Sequence, residues 1–170
     1  MDPHSLPLLY EGRKFSLRAS KELKKEAIIH PGAVVILPII NTEEIILIRN
    51  ERFVVQETLW ELPAGTIEKG ETPLQTAERE IIEEIGYSAN SIEYLLEFYA
   101  SPGFCNEKLF VFLASNLTYV GQKLEENENI QVEQMPLSKA LEMIHSGSIQ
   151  DAKTISALLY YQQFIAQKAP

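Results

Sequence analysis

The stretch Gly65–Tyr87, GTIEKGETPLQTAEREIIEEIGY, decides how this chain is read. It contains a helix with both ends marked. Thr72 is a good N-cap, Pro73 suits the first helical position, and Gly86 can stop the helix. Between them Leu74, Ala77, Ile81 and Ile85 share one face, with Glu78 close to that face as a blemish. The second half, REIIEEIG, sets Glu80, Glu83 and Glu84 beside a single cation, Arg79. Helical spacing gathers these glutamates within about one-third of the circumference, beside the apolar face and not opposite it. Like charges at this spacing cost roughly 0.2–0.5 kcal/mol per pair. Glu83 and Glu84 also stand in the last turn, where the helix dipole disfavours anions. Arg79 can pair with Glu83 one turn later, which relieves only part of the cost. A hard divalent cation would reverse the sign, because Mg²⁺ binds through carboxylate oxygens and substrate phosphates. A solvated acidic face explains the helix alone equally well.

The rest of the chain sets bounds. With 170 residues, 45% apolar and 23% charged, it reads as one domain with a real core. The longest apolar run, AVVILPII, is too short to span a membrane. The start, MDPHSLPLL, lacks the basic opening and apolar core of a signal peptide. One cysteine excludes an internal disulfide framework. The expectation is a soluble, cytoplasmic protein without a membrane partner. A net charge of −9 disfavours nucleic acid as a partner and fits sites that hold cations, although surface acidity for solubility explains it as well.

Short polar-flanked strands are expected around Leu8–Tyr10, Lys14–Arg18 and Lys24–Ile29, before the punctuation His30–Gly32. AVVILPII and EIILIR read as strands split by NTE, a hairpin signal. LWELPAG gives a short strand ending at Pro63. IEYLLEFYA and KLFVFLAS read as strands around the SPGFCNE loop, QKLEENEN as an acidic loop and IQVEQM as a strand. One helix is expected from Ser138 to near Gly147, another from Asp151 to about Gln167. The fold class is mixed α/β or α+β.

The loop before the helix gives the acidic patch a meaning. Gly65, Glu71, Arg79, Glu80, Ile81, Glu83, Glu84 and Gly86 follow the spacing G-x5-E-x7-R-E-I-x-E-E-x-G. This pattern resembles the signature box of the Nudix hydrolases; only the last position, usually aliphatic, differs as Tyr87. The resemblance implies an α/β/α sandwich with a mixed sheet over residues 31–170, behind a short N-terminal β segment, residues 1–30. It implies hydrolysis of a nucleoside diphosphate linked to another moiety, dependent on Mg²⁺ or Mn²⁺. It assigns Glu80, Glu84 and the carbonyl of Ala64 as metal ligands. Glu83 is placed beside them, directly or through water, Arg79 orients the carboxylates, and Glu71 supports them from behind.

Other stretches resemble the ADP-ribose pyrophosphatase branch of the family: HPGAV, ELPAG, Pro102 past the box, EENENI, and DAKTISALLYYQ. That branch implies Glu126 as the base that activates water and Glu128 as holder of a further metal. It implies substrate contacts from Glu107, Ser101, Pro102 and Gly103 in SPGFCNE, from Lys25 and Glu26, and from Arg52 at the phosphates, with Arg49 as fallback. Phe15 stacks on adenine or packs in the core; both readings stand. Lys25 stands where relatives often carry Arg, which loses bidentate geometry. The resemblance implies a homodimer; in relatives a longer N-terminal β-domain is often exchanged across it, and here that region is short, about thirty residues before His30–Gly32. The alternatives are a broader nucleoside diphosphate sugar hydrolase, for example on GDP-mannose, and a Nudix-like module that binds ADP-ribose without cleaving it. Such modules typically lose box glutamates, and this chain keeps them. Cys105 has no His partner nearby in sequence, and His4, His30 and His145 lack metal-ligand spacing.

Overall fold

The computed structural model describes residues 1–41, 43–124 and 129–166. After a 3-10 turn at Pro3–Ser5 capped by Asp2, β1 (Leu8–Glu11), β2 (Ser16–Ser20) and β3 (Lys25–Ile29) form an antiparallel meander. The chain then runs through β4 (Ala33–Pro38), β5 (Glu44–Arg52), β6 (Glu57–Glu61) and β7 (Ala64–Thr66). Helix α1 (Pro73–Ile85) follows, then β8 (Tyr87–Tyr99), β9 (Lys108–Tyr119), β10 (Ile130–Pro136), α2 (Leu137–His145) and α3 (Ala152–Phe164). A mixed sheet has the order β7-β4-β9-β8, with β4 parallel to β9 and the other pairs antiparallel. A third, antiparallel sheet has the order β10-β5-β6.

β4 shows why the architecture is layered. All six of its residues are buried, as a strand covered on both faces requires. Strand alternation sends Val34 and Ile36 into a cluster with Ala77, Ile81 and Ile85 of α1. Val35 and Leu37 pack instead with Ala140 and Met143 of α2 and with Ala157, Leu158 and Tyr161 of α3. One helix on one face and two on the other make an α/β/α sandwich, the expected class.

Two local expectations need correction. After β4, Asn41 Oδ1 accepts from the amides of Glu43 and Glu44, as a turn requires. Yet among the described residues no ladder follows beyond the isolated bridge Ile39–Ile45 just past β4, and β4 and β5 go to different sheets, so the turn joins sheets and does not close a hairpin ladder. On α1, Leu74 is 42% exposed and lies off the packed face, while Glu78 is exposed and no blemish at all. Glu80 and Glu84 take part of the buried surface instead. Among the described residues no helix is long and apolar enough to cross a membrane.

Candidate functional site

The site grows from the two ends of α1. At its start, Thr72 Oγ1 accepts from the Gln75 amide and Gln75 Oε1 accepts from the Thr72 amide, a reciprocal capping box. At its end Gly86 adopts φ +76°, and its N–H reaches the Ile82 carbonyl at 3.0 Å. A Cβ on Gly86 would also lie 2.7 Å from the Gln122 amide nitrogen. That closeness matters, because residues 120–123 satisfy the open end of the helix. Gln122 Nε2 donates to the Glu84 carbonyl at 2.6 Å, and the Lys123 amide donates to the Glu83 carbonyl at 3.1 Å. The chain is thus tied to α1 just before Glu125, Glu126 and Glu128, which lie outside the described residues.

The glutamates do not form a solvated face. Glu80 is 8% exposed and Glu84 is 3% exposed. Arg79 lies among them: Nε and Nη2 grip the two oxygens of Glu71 at 2.9 and 3.0 Å, while Nη1 reaches Glu80 Oε1 at 2.6 Å and Glu83 Oε2 at 2.8 Å. Glu71 is held in turn by the Thr76 hydroxyl and the Glu68 amide. The Arg79 hydrogen bonds bring the Glu71 carboxyl down to about 2, against the opposing effect of burial. Hydrogen bonding to Glu71 first, then to Glu83 and Glu80, raises Arg79 well above its ordinary value. Glu71 and Glu83 are therefore engaged by the same arginine that orients Glu80.

β7 is laid directly against these carboxylates. A Cβ on Gly65 would fall 1.8 Å from Glu80 Oε1, so any side chain there would have to displace the Glu80 carboxylate. One residue earlier, the Ala64 amide donates to Glu84 Oε2 at 2.8 Å. Buried carboxylates against a glycine-lined backbone form an all-oxygen donor set, which suits a hard divalent ion such as Mg²⁺ or Mn²⁺. Arg79 is shared among three glutamates, with the buried Glu84 close by, so carboxylate charge is gathered where such an ion could offset it. Among the described residues no group of three or more His, Cys, Asp or Glu side chains is arranged to hold a metal on its own. Glu80 and Glu84, with the backbone at Ala64, are the groups that would hold one.

Beside Glu84 stands a second charge cluster. Arg52 Nε and Nη2 donate to the two oxygens of Glu61 at 2.7 and 2.6 Å. Lys153 Nζ donates to Glu61 Oε2 at 2.6 Å and lies 2.9 Å from Asp151 Oδ1. Burial pushes the Glu61 carboxyl up, but the Arg52 and Lys153 contacts outweigh it and the net shift is down. Arg52 is raised, first by its hydrogen bonds to Glu61 and further by the fields of Glu84 and Asp151. Arg49 is not equivalent. The two arginines are three apart on a strand, so they leave opposite faces, and Arg49 lies 5.5 Å over the ring of Trp60. The sequence marks Asp151 only as a helix start, and it does not mark Glu61, Lys153 or Thr154 as site residues. The available signal was a glutamate in ELPAG with no nearby cation to balance it.

The remaining candidates lie around the N-terminal sheet. Phe15, with Glu11, Arg13, Lys14, Arg18 and His30, lines a cavity of about 520 Å³. Phe15 is 42% exposed and tilts against Tyr10, so it is not a core residue. Glu26, Pro102 and Gly103 line a second cavity of about 300 Å³ with Phe104 and Cys105. Lys25 is exposed and lines neither. The Ser101 carbonyl closes the loop by accepting from the Phe104 and Cys105 amides. Glu107 Oε1 lies 3.7 Å from His30 Nδ1, which accepts from the Gly32 amide. Burial lowers the His30 pKa, so the neutral acceptor form is the one that fits. Neither cavity is lined by Glu80, Glu84 or Arg52.

The family model for the NUDIX domain matches residues 29–158. An ADP-ribose pyrophosphatase from Bacillus subtilis (strain 168) is 41% identical over 144 residues, covering 84% of this chain and 78% of the relative. A GDP-mannose pyrophosphatase from Salmonella typhimurium is 33% identical over 141 residues, covering 77% and 73%. Among solved structures, one described as an ADP compounds hydrolase superposes with a TM-score of 0.79 at 22% identity. It covers 96% of this chain and 92% of that one, and it supports the fold.

Proposed function

This chain belongs to the Nudix family, and on that premise we propose that it is a Mg²⁺-dependent pyrophosphatase that hydrolyses ADP-ribose to AMP and ribose 5-phosphate. The observation that carries this reading is the pair of buried carboxylates, Glu80 held beside Gly65 by Arg79 and Glu84 held by the Ala64 amide. The 41% identity to a named ADP-ribose pyrophosphatase supports the choice of substrate.

The reaction adds water across one phosphorus–oxygen bond of the diphosphate bridge. Water oxygen bonds to one phosphorus, the bridging oxygen leaves with the other phosphate, and the water proton passes to a base. A divalent ion at Glu80, Glu84 and Ala64 would neutralise phosphate charge and make water a better nucleophile when bound. Arg52 receives the diphosphate through charge-assisted hydrogen bonds. Arg79 keeps Glu80 and Glu83 oriented before substrate arrives, so little reorganisation is needed at the moment of reaction. Glu126 is the proposed general base and Glu128 the proposed holder of a further ion; both lie outside the described residues.

Substrate contacts are proposed for Glu107, Ser101, Pro102, Gly103, Glu26, Lys25 and Phe15. Residues 1–30 are read as a separate N-terminal element of a cytoplasmic homodimer. Their own three-stranded sheet supports that division. If Phe15 stacks on adenine, its cavity must join the carboxylate site, across a subunit boundary or through movement of the meander. A second reading, a wider nucleoside diphosphate sugar hydrolase, is favoured by the relative named GDP-mannose pyrophosphatase. Turnover of ADP-ribose, GDP-mannose, NADH and dGTP with Mg²⁺ separates the readings. The proposal expects the highest kcat/KM for ADP-ribose. A higher value for GDP-mannose would install the second reading.

A further inference from the structure

We propose that Lys153, on the last helix, is a positioning residue for substrate binding: through Glu61 it holds Arg52 toward the diphosphate and cancels charge that would repel it. This rests on the reading of Arg52 as the phosphate-binding arginine. Ile48 pairs with Glu61 and Arg52 with Glu57 in regular register, so Arg52 and Glu61 share a face of the β5–β6 pair. Arg52 reaches along that face to grip both oxygens of Glu61. The Glu61 side chain is 1% exposed, Lys153 is 13% exposed and Arg52 is 40% exposed. Arg52 is thus the outward member of a buried cluster. With Nε and Nη2 engaged, its Nη1 has no hydrogen-bond partner among the described residues and is left for an incoming oxygen.

Lys153 cannot drift from this position. Asp151 Oδ1 lies 2.9 Å from its Nζ, and Asp151 Oδ2 caps α3 by accepting from the Thr154 amide and hydroxyl. Thr154 Oγ1 accepts from the Leu62 amide at 2.8 Å, pinning α3 to the residue after Glu61. Two cations and two carboxylates balance. Without Lys153, the buried charge of Glu61 would be balanced by Arg52 alone. Arg52 would then offer less to a phosphate, and an excess negative charge would stand beside Glu84, whose field already reaches Arg52. A purely structural staple would predict loss of stability without any such change in affinity.

The test is a double-mutant cycle. KM and kcat on a nucleoside diphosphate substrate, Kd for ADP and Tm are measured for Lys153→Met and Lys153→Arg, and for Lys153→Met in an Arg52→Met background. Lys153→Met is expected to raise KM and Kd about tenfold while kcat falls less than about threefold. Lys153→Arg recovers most of that loss, and in the Arg52→Met background Lys153→Met adds less than about twofold. Wild-type KM and Kd in Lys153→Met, with or without a lower Tm, would overturn the proposal. So would an undiminished effect in the Arg52→Met background. Should Lys153→Met not fold, Lys153→Gln keeps a donor to Glu61 without the charge and is read in the same way. If the unmutated protein turns over no nucleoside diphosphate, the proposed function fails, while the ADP affinities still decide the role of Lys153.

Discussion

A Cβ built on Gly65 would stand 1.8 Å from Oε1 of Glu80 and 2.5 Å from its Cγ. The glycine and the glutamate therefore occupy each other's space: the strand comes close because one has no side chain, and the carboxylate stays buried because the strand comes close. Gly65→Ala must push Glu80 from its place beside Arg79. The expected result is a fall in kcat of about tenfold to a hundredfold, as for the loss of a group that orients a ligand. Far-UV circular dichroism should remain native. Wild-type kcat in Gly65→Ala would show that the position of Glu80 does not matter.

Glu71 gives a pH dependence with a definite sign. Its carboxyl lies at about 2 in the folded chain, down from the usual 4.5. A carboxyl depressed by folding lends stability above its unfolded value and loses it as pH falls toward the folded one. The Glu71–Arg79 contact should therefore stabilise the protein fully at neutral pH and fade between 4.5 and about 2. Comparing Tm for wild type and Glu71→Gln across that range measures it. The gap should be constant at neutral pH and close in acid. A gap independent of pH would remove the electrostatic account.

Gly86 carries two constraints at once, a left-handed φ of +76° and 2.7 Å between a would-be Cβ and the Gln122 amide nitrogen. Gly86→Ala is expected to lose at least about 1–2 kcal/mol of stability from the backbone alone. Denaturant unfolding measures this. Because residues 120–123 are displaced as well, kcat should fall with it. A variant as stable as wild type would contradict the geometry.

How much was legible in the sequence follows from how local each cause is. The ends of α1 were readable because Thr72, Pro73 and Gly86 act within one turn of themselves. The packed face was only partly readable. Periodicity counts apolar residues, so it included Leu74 and could not show that Glu80 and Glu84 are buried in its stead. NTE announced a turn, but β4 finds its parallel partner in β9 only after α1 and β8 have intervened, and no local pattern reports that. The Lys153–Glu61 contact spans 92 residues of sequence. Each looked ordinary alone, a lysine in a first helical turn and a glutamate in a short strand. Their meaning appears only when burial brings the charges together.

Glu80 and Glu84 are proposed to hold the ion on which turnover depends. The most direct measurement is ADP-ribose hydrolysis by wild type and Glu84→Gln across a Mg²⁺ titration, with product analysis. Wild type should release AMP and ribose 5-phosphate in equal amounts, with a rate that saturates in Mg²⁺. Glu84→Gln keeps an oxygen for the Ala64 amide and should stay folded, yet lose nearly all turnover and bind Mg²⁺ more weakly. A folded Glu84→Gln variant with wild-type rate and the same Mg²⁺ dependence would contradict the account.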